Sequence, residues 1–112
     1  SHPQLKIGGG VDHNFVLDDN RRLRHAVHAV SPRSGLAVDC WTDLPGVQFY
    51  TGNALEGAPK GKSGAVYGRR AGFCLETQFW PNAPALPHFP QPVLRAGGEY
   101  RRLTQFCFSS HC

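Results

Sequence analysis

The 112-residue sequence contains no methionine and no apolar run of transmembrane length. It does not open with a secretory signal peptide either, so we expect a cytoplasmic protein with no membrane partner. No segment of useful length repeats its apolar residues with the 3.6-residue period of an amphipathic helix. These absences argue against a helical or membrane-spanning protein. Because the chain starts at Ser1 without a methionine, we expect it to be part of something longer.

An excess of charge of one sign is also missing. Twelve lysines and arginines stand against eight acidic residues, which gives a formal net charge of only +4. The basic residues occur mostly as short pairs with acidic residues between them, a pattern typical of solvated turns: Arg21-Arg22, Lys60 and Lys62, Arg69-Arg70, and Arg101-Arg102. We therefore expect no nucleic-acid partner.

Cysteines are few and widely spaced: Cys40, Cys74, Cys107 and Cys112. Three of them lie in strand-like segments and nothing marks secretion, so we expect buried free thiols rather than a disulfide framework. His25 and His28 are three residues apart in a predicted strand, which places their side chains on opposite faces. Cys107 and the terminal His111-Cys112 lack a paired partner motif. We predict neither a metal nor any other cofactor.

What the sequence does contain is a series of short alternating segments between turn signals. Strands are predicted over residues 23–30, 36–42, 47–51, 72–78 and 100–108. Prolines recur between Pro81 and Pro92, which forbids ladder pairing there and predicts a long loop. The fold class is therefore all-β, and the chain is long enough for one domain at most.

The stretch from Gly72 to Gln78 ends one of these strands just before the proline-rich loop. Alternation places Cys74, Glu76 and Gln78 on one face of the strand. We expect sheet on both sides of this strand, so that the Glu76 carboxylate is partly desolvated. The stretch alone leaves open the alternative that Glu76 and Gln78 simply face solvent.

Two other stretches carry similar groups. Asp12, His13 and Asn14 follow three consecutive glycines, and Gln48 and Tyr50 share one face of a predicted strand. An alternative role for Asp12 is to cap a turn through its own backbone. Carboxylates and amides suit sugar hydroxyls, which both donate and accept, and an aromatic ring offers a platform for the C–H face of a sugar. The pattern predicts a carbohydrate site.

At these residues the sequence resembles the aldose 1-epimerase (galactose mutarotase) family. The matching segments span nearly the whole chain: Gly10-Val-Asp-His-Asn-Phe15, Pro45-Gly-Val-Gln-Phe-Tyr-Thr-Gly-Asn53, Gly72-Phe-Cys-Leu-Glu-Thr-Gln78 with Trp80-Pro81, and Phe89-Pro90 with Val93-Leu94-Arg95 and Tyr100. The resemblance implies an antiparallel β-sandwich of the galactose mutarotase type, of which residues 1–112 are the C-terminal part of a single domain. The missing N-terminal part of that domain is then the expected partner.

The resemblance also implies a reaction, the interconversion of the α and β anomers of hexoses such as galactose and glucose by acid–base ring opening. It implies Glu76 as the general base and Asp12, Asn14, Gln48 and Tyr50 as residues that bind the hexose substrate. The family's general acid is a histidine from the earlier part of the chain, with no counterpart in these residues. We therefore expect the chain alone to be inactive.

The sequence departs from the family at two positions of the proline-rich loop. Asn82 and Ala85 stand where the family usually has Asp and Asn, which predicts altered hydrogen bonding within the loop. Three other functions remain open. They are a non-catalytic carbohydrate-binding module or inactive fragment, a glycosidase with Asp12 as the carboxylic-acid partner of Glu76, and a purely structural all-β domain.

Overall fold

A computed structural model of the chain describes residues 2–18 and 22–110. The elements in these ranges are, in chain order, helix α1 (Pro3–Ile7), strands β1 (Asp12–Val16), β2 (Arg24–Val30), β3 (Leu36–Thr42), β4 (Gly46–Tyr50) and β5 (Cys74–Gln78), a 3-10 turn (Ala83–Ala85), and strand β6 (Thr104–Ser110). The predicted all-β class is confirmed. Neither helical segment of the described chain is long and apolar enough to cross a membrane.

The strands form two three-stranded sheets, with the orders β1-β4-β5 and β2-β3-β6. Strands β2 and β6 both pair antiparallel with β3. The chain divides into two compact units, which we call unit 1 (Ser1–Phe15 and Gln48–Glu76) and unit 2 (Val16–Val47 and Thr77–Cys112). Most of the polar residues on strands β1, β4 and β5 belong to unit 1. The whole β2-β3-β6 sheet belongs to unit 2.

The last strand begins later than its alternation predicts. Pairing with β3 sets this start, because Thr104 lies opposite Thr42, the last residue of β3. Just beyond, the Asp43 N–H donates to the Leu103 carbonyl (3.2 Å) and the Leu103 N–H donates to the Asp43 carboxylate (3.0 Å). Residues 100–103 therefore adopt an irregular path although their sequence alternates like a strand.

Strand β2 contains a bulge that changes which side chains share a face. Its register on β3 pairs His25 with Trp41, Val27 with Cys40, and His28 with Asp39. Ala26 is thus an extra residue, and because Asp39 and Trp41 share a face of β3, His25 and His28 share a face as well. The prediction that the two histidines point to opposite faces is wrong, since strict alternation fails at a bulge.

The core of unit 2 is small and includes one buried hydroxyl group. Its buried residues include Ala37, Cys40, Thr42, Leu44, Val47 and Ala83. The Thr42 hydroxyl accepts the Leu44 N–H at 3.1 Å and lies 3.3 Å from both the Leu103 carbonyl and the Thr104 hydroxyl. The hydroxyl group can be buried because it is hydrogen-bonded to these partners.

Cysteine burial follows the position of each strand in its sheet. Cys40, on the central strand β3, is fully buried, and this burial raises the pKa of its thiol. Cys74 and Cys107 are free but exposed, because β5 and β6 are the outermost strands of their sheets in the described chain. The prediction of buried thiols is thus right for Cys40 and wrong for Cys74 and Cys107, whereas Cys112 lies outside the described residues.

Apolar side chains on β6 are exposed too. Phe106 lies opposite Cys40 and is 46% exposed, and Phe108 lies opposite Val38 and is 79% exposed. Both project from the face of the sheet that carries the buried Cys40 and Thr42. Toward the end of β6, therefore, this apolar face is open in the described chain.

The proline-rich loop after β5 is held by one amide side chain and by its own backbone. The Gln91 side-chain nitrogen lies within hydrogen-bonding distance of three carbonyl oxygens, those of Ala83, Leu86 and Phe89 (2.8–3.0 Å). Asn82 has a left-handed backbone (φ 62°), and its side chain makes no capping hydrogen bond to the 3-10 turn. Asparagine suits this position because it tolerates a left-handed backbone better than most residues with a Cβ.

We predict that Asn82 is retained for its backbone conformation. In this protein, Asn82→Ala should lower the free energy of unfolding by about 1 kcal/mol, whereas Asn82→Gly should cost less. Urea unfolding of both variants measures this. Ala85→Gly, at a residue without positive φ, is the control and should be destabilising. If Asn82→Gly were less stable than Asn82→Ala, the conformational explanation would be wrong.

Candidate functional site

The site is built at the start of β1, which is tied to the segment that follows β4. The Thr51 N–H donates to the Val11 carbonyl and the Val11 N–H donates to the Thr51 hydroxyl, both at 3.1 Å. The Asn53 side chain adds a third bond to the same region by donating to the Val11 carbonyl at 3.0 Å. These bonds fix the chain immediately before Asp12.

The glycine run before β1 allows this close approach. Gly10 has a φ of 154°, and a Cβ added to it would overlap the Asn53 side chain. Asn53 also donates to the Gly8 carbonyl at 3.3 Å, and the Arg69 and Arg70 guanidiniums both donate to the Gly9 carbonyl. The run therefore serves to place the backbone against Asn53 and the two arginines.

Four polar side chains of unit 1 come together on one face of the β1-β4-β5 sheet. The Gln48 side-chain nitrogen donates to the Asp12 carboxylate at 2.7 Å. On β5, the Cys74 thiol hydrogen bonds to the Glu76 carboxylate and is also close enough to Asp12 to feel its charge. Asp12, Gln48 and Glu76, three of the predicted site residues, thus share a polar face with Cys74. The alternative that Asp12 caps a turn does not apply, because Asp12 lies in β1.

The electrostatics of this polar face are visible at Cys74. Desolvation, followed by the negative charge and hydrogen bond of Glu76 and the charge of Asp12, raises the pKa of the Cys74 thiol. A raised pKa keeps the thiol protonated near neutral pH, where it donates a hydrogen bond and is a poor nucleophile. Cys74 is therefore suited to holding the Glu76 carboxylate rather than to reacting itself.

Glu76 is more open than the sequence led us to expect. Strand β5 is the outermost strand of the order β1-β4-β5, and Glu76 is exposed. In the described chain, sheet flanks this strand on one side only, so the prediction of sheet on both sides is wrong there. The partial desolvation of Glu76 stays a prediction. Gln78, the next residue on the same face, is half-buried.

The other two predicted site residues, Asn14 and Tyr50, are half-buried. By alternation Asn14 shares a face with Asp12 on β1, and Tyr50 shares a face with Gln48 on β4. The Tyr50 hydroxyl accepts the Ala54 N–H at 2.9 Å. This bond holds the ring in place and leaves the hydroxyl its own proton to donate.

The sequence reasoning missed two features beside the predicted site residues of unit 1. One is Cys74, which alternation had already placed beside Glu76. The other is a cleft of about 580 Å³ beside the start of β1, lined by Lys6, Arg69 and Arg70 among others. The arginine pair had been assigned to a solvated turn. In the sequence, only the glycine run pointed to this cleft. The connection is that the Gly9 carbonyl accepts hydrogen bonds from both arginines.

We predict that Glu76 controls the reactivity of Cys74. Glu76→Gln removes a negative charge and a carboxylate acceptor, so the pKa of the Cys74 thiol should fall. A lower pKa gives more thiolate at neutral pH, so alkylation of Cys74 by iodoacetamide should accelerate. Peptide mass spectrometry measures the rate at Cys74, with the exposed Cys107 as internal control. An unchanged Cys74 rate would contradict the coupling.

The fold and this polar face define an all-β protein with a candidate carbohydrate site, and comparison with known proteins identifies the family. The chain matches the aldose 1-epimerase family model over residues 1–107. It is 50% identical to a galactose mutarotase of Bos taurus and 49% identical to one of Homo sapiens, each over 100 residues. It is 38% identical over 104 residues to an aldose 1-epimerase of Escherichia coli strain K12.

These alignments cover 89% of this chain for the two mammalian proteins and 88% for the bacterial one. The chain therefore belongs to the aldose 1-epimerase family, as the sequence motifs indicated. It spans 29% of the length of each of these relatives.

Proposed function

We propose that this chain carries the general base and the sugar-binding residues of an aldose 1-epimerase that acts on hexoses such as galactose and glucose. Family membership supports the reaction class. The observation that carries the proposal is the polar face of unit 1, where the Gln48 amide donates to Asp12 at 2.7 Å and the charges of Asp12 and Glu76 both act on Cys74. Carboxylates and amides placed together in this way match hydroxyl groups that both donate and accept.

In the proposed reaction the Glu76 carboxylate takes the proton of the anomeric hydroxyl while an acid protonates the ring oxygen. The C1–O5 bond breaks and the electrons of the former O–H bond form the aldehyde. Rotation about C1–C2 then presents the other face of the carbonyl, and the ring closes with the roles of acid and base reversed. The reaction is redox-neutral and expels no leaving group, so acid–base chemistry is sufficient.

The remaining residues of the face have binding roles. The Gln48 side chain, whose nitrogen donates to Asp12, is assigned to binding sugar hydroxyls together with that carboxylate. Asp12 uses one carboxylate oxygen for this bond and offers the second to the substrate. Asn14 supplies a further amide, and the Tyr50 ring supplies an apolar platform for the C–H face of the sugar. The Cys74 thiol positions the Glu76 carboxylate through their hydrogen bond.

We assign the general acid to a histidine in a part of the protein outside these 112 residues. The described histidines with polar contacts have other partners. His13 Nδ1 accepts the Asp12 N–H at 3.0 Å, and His25 and His28 both contact Asp39 in unit 2. Relatives more than three times as long as this chain leave room for such a residue, since the chain spans 29% of their length.

Replacing Glu76 tests the assignment of the base. In the full-length protein, Glu76→Gln keeps the size of the side chain but removes the base, so kcat should fall about 100-fold or more while KM changes only a few-fold. Polarimetry on fresh α-D-galactose and α-D-glucose measures both constants. Asp12→Asn should change KM as well as kcat, because Asp12 is assigned to binding.

Glu56→Gln is the matched control, since Glu56 is an exposed acid of unit 1 away from β5 in sequence. Its kcat should equal that of the unmodified protein. Near-normal kcat in Glu76→Gln would remove Glu76 from the mechanism. If the unmodified protein bound galactose in calorimetry without accelerating mutarotation, the chain would instead be part of a non-catalytic sugar-binding protein.

We further predict that residues 1–112 alone do not catalyse mutarotation. They would lack the proposed acid, and the outermost strands β5 and β6 would expose sheet edges. Polarimetry with the isolated chain should give the rate of the buffer. A rate well above that of the buffer that is abolished by Glu76→Gln would show that no histidine from elsewhere is required.

A further inference from the structure

Unit 2 contains a cluster of three potential metal ligands that plays no part in the proposed sugar chemistry. His25 Nε2 and His28 Nδ1 lie 2.6 Å and 2.9 Å from the same oxygen, Oδ1 of Asp39. All three ligand atoms lie within 4.8 Å of one another. The bulge at Ala26 creates the cluster, because it brings His28 opposite Asp39 on the face that also carries His25.

We propose that His25, His28 and Asp39 bind a divalent transition-metal ion such as Zn²⁺, which links strand β2 to strand β3. Two imidazole nitrogens and one carboxylate oxygen are a donor set suited to zinc and its neighbours in the first transition series. Calcium and magnesium prefer sites made of oxygen atoms, and are not expected here.

The geometry requires only small movements to accept the ion. Zinc–nitrogen bonds of 2.0–2.1 Å at tetrahedral angles imply donor atoms about 3.4 Å apart. That spacing lies between the present 2.6 Å and 2.9 Å contacts with Asp39 and the 4.8 Å within which all three ligand atoms lie. The side chains of His25, His28 and Asp39 are 42%, 48% and 28% exposed, so they can rotate by this amount and water can occupy the remaining coordination position.

The protonation states also fit. A carboxyl group binds a metal ion in its ionised form, and Oδ1 of Asp39 already faces both imidazole nitrogens. Binding needs the lone pairs of His25 Nε2 and His28 Nδ1, so each ring carries its proton on the other nitrogen when the ion is bound. Acid should release the ion, because protonated imidazoles do not coordinate metals.

The neighbours of the cluster include a second potential zinc ligand, and the experiment must distinguish it from the three proposed ligands. The Trp41 ring packs against the His25 ring, with centroids 5.1 Å apart, and so orients it. Cys107 lies opposite Asp39 on β6, and its sulfur accepts a hydrogen bond from the Gln105 amide at 3.4 Å. Because thiolates also bind zinc, Cys107 is the rival ligand on this face of the sheet.

Titration calorimetry of the protein with ZnCl₂, together with visible absorption after Co²⁺ addition, tests the site. His25→Gln, His28→Gln and Asp39→Asn should each weaken Zn²⁺ binding about tenfold or more, since even indirect supports of metal ligands contribute that much. His88→Gln and Cys107→Ser are the controls and should bind like the unmodified protein. His88 is exposed and packs on Phe89 elsewhere in unit 2.

Thermal unfolding provides a second measurement that needs no enzymatic activity. Zn²⁺ at a concentration that just saturates the unmodified protein should raise the Tm of that protein and of both controls, and should raise the Tm of Asp39→Asn and His28→Gln by clearly less. Circular dichroism without metal checks that each variant is folded. If Asp39→Asn does not fold, the Tm of His28→Gln decides the outcome, because the His28 side chain is exposed.

Three results would overturn the proposal. The first is the absence of Zn²⁺ binding and of any increase in Tm. The second is binding that survives all three ligand substitutions, and the third is binding that is lost in Cys107→Ser but kept in Asp39→Asn. Under any of them, His25, His28 and Asp39 would only be hydrogen-bonded partners across β2 and β3, and the proposed epimerase chemistry would be unaffected.

Discussion

The candidate site depends on the hydrogen bonds between the start of β1 and the segment after β4. Val11 and Thr51 form reciprocal hydrogen bonds, and the Asn53 side chain also donates to the Val11 carbonyl. These bonds fix the register of β1 relative to β4. Side chains on a strand alternate, so a slip of one residue would turn Asp12 away from Gln48. Gly10 leaves the space that Asn53 needs. The candidate site residues are therefore placed by hydrogen bonds to the backbone that involve none of their own side chains.

Much of the fold could be predicted from the sequence because its signals are local. Alternation with Gly and Pro at the turns placed β3 at its observed bounds and β2, β4 and β5 within two residues of theirs. Strand β1 was not among the predicted strands. The other errors were non-local or concerned segments too short to detect. The start of β6 is set by where β3 ends, and the bulge in β2 by its pairing with β3. Helix α1 has five residues, too few to display a helical period.

The candidate site was likewise predicted only in part. The identities of Asp12, Gln48 and Glu76 came from motifs of a family to which the chain belongs, and the structure brings these three residues onto one face. Their exposure could not be predicted, because it depends on which strand lies outermost in a sheet. The His25–Asp39 contact was missed for a similar reason, since one extra residue reverses the faces of everything that follows it in a strand.

The open end of β6 has a consequence for how such a chain behaves in isolation. An outermost strand offers unpaired peptide groups along one side, and here exposed Phe106 and Phe108 lie on one of its faces. Together these features form a template for adding a strand from another molecule. Self-association should therefore rise steeply with concentration whenever this edge is left uncovered. In the cell, covering the edge soon after synthesis would protect the chain against aggregation as much as it would complete a fold.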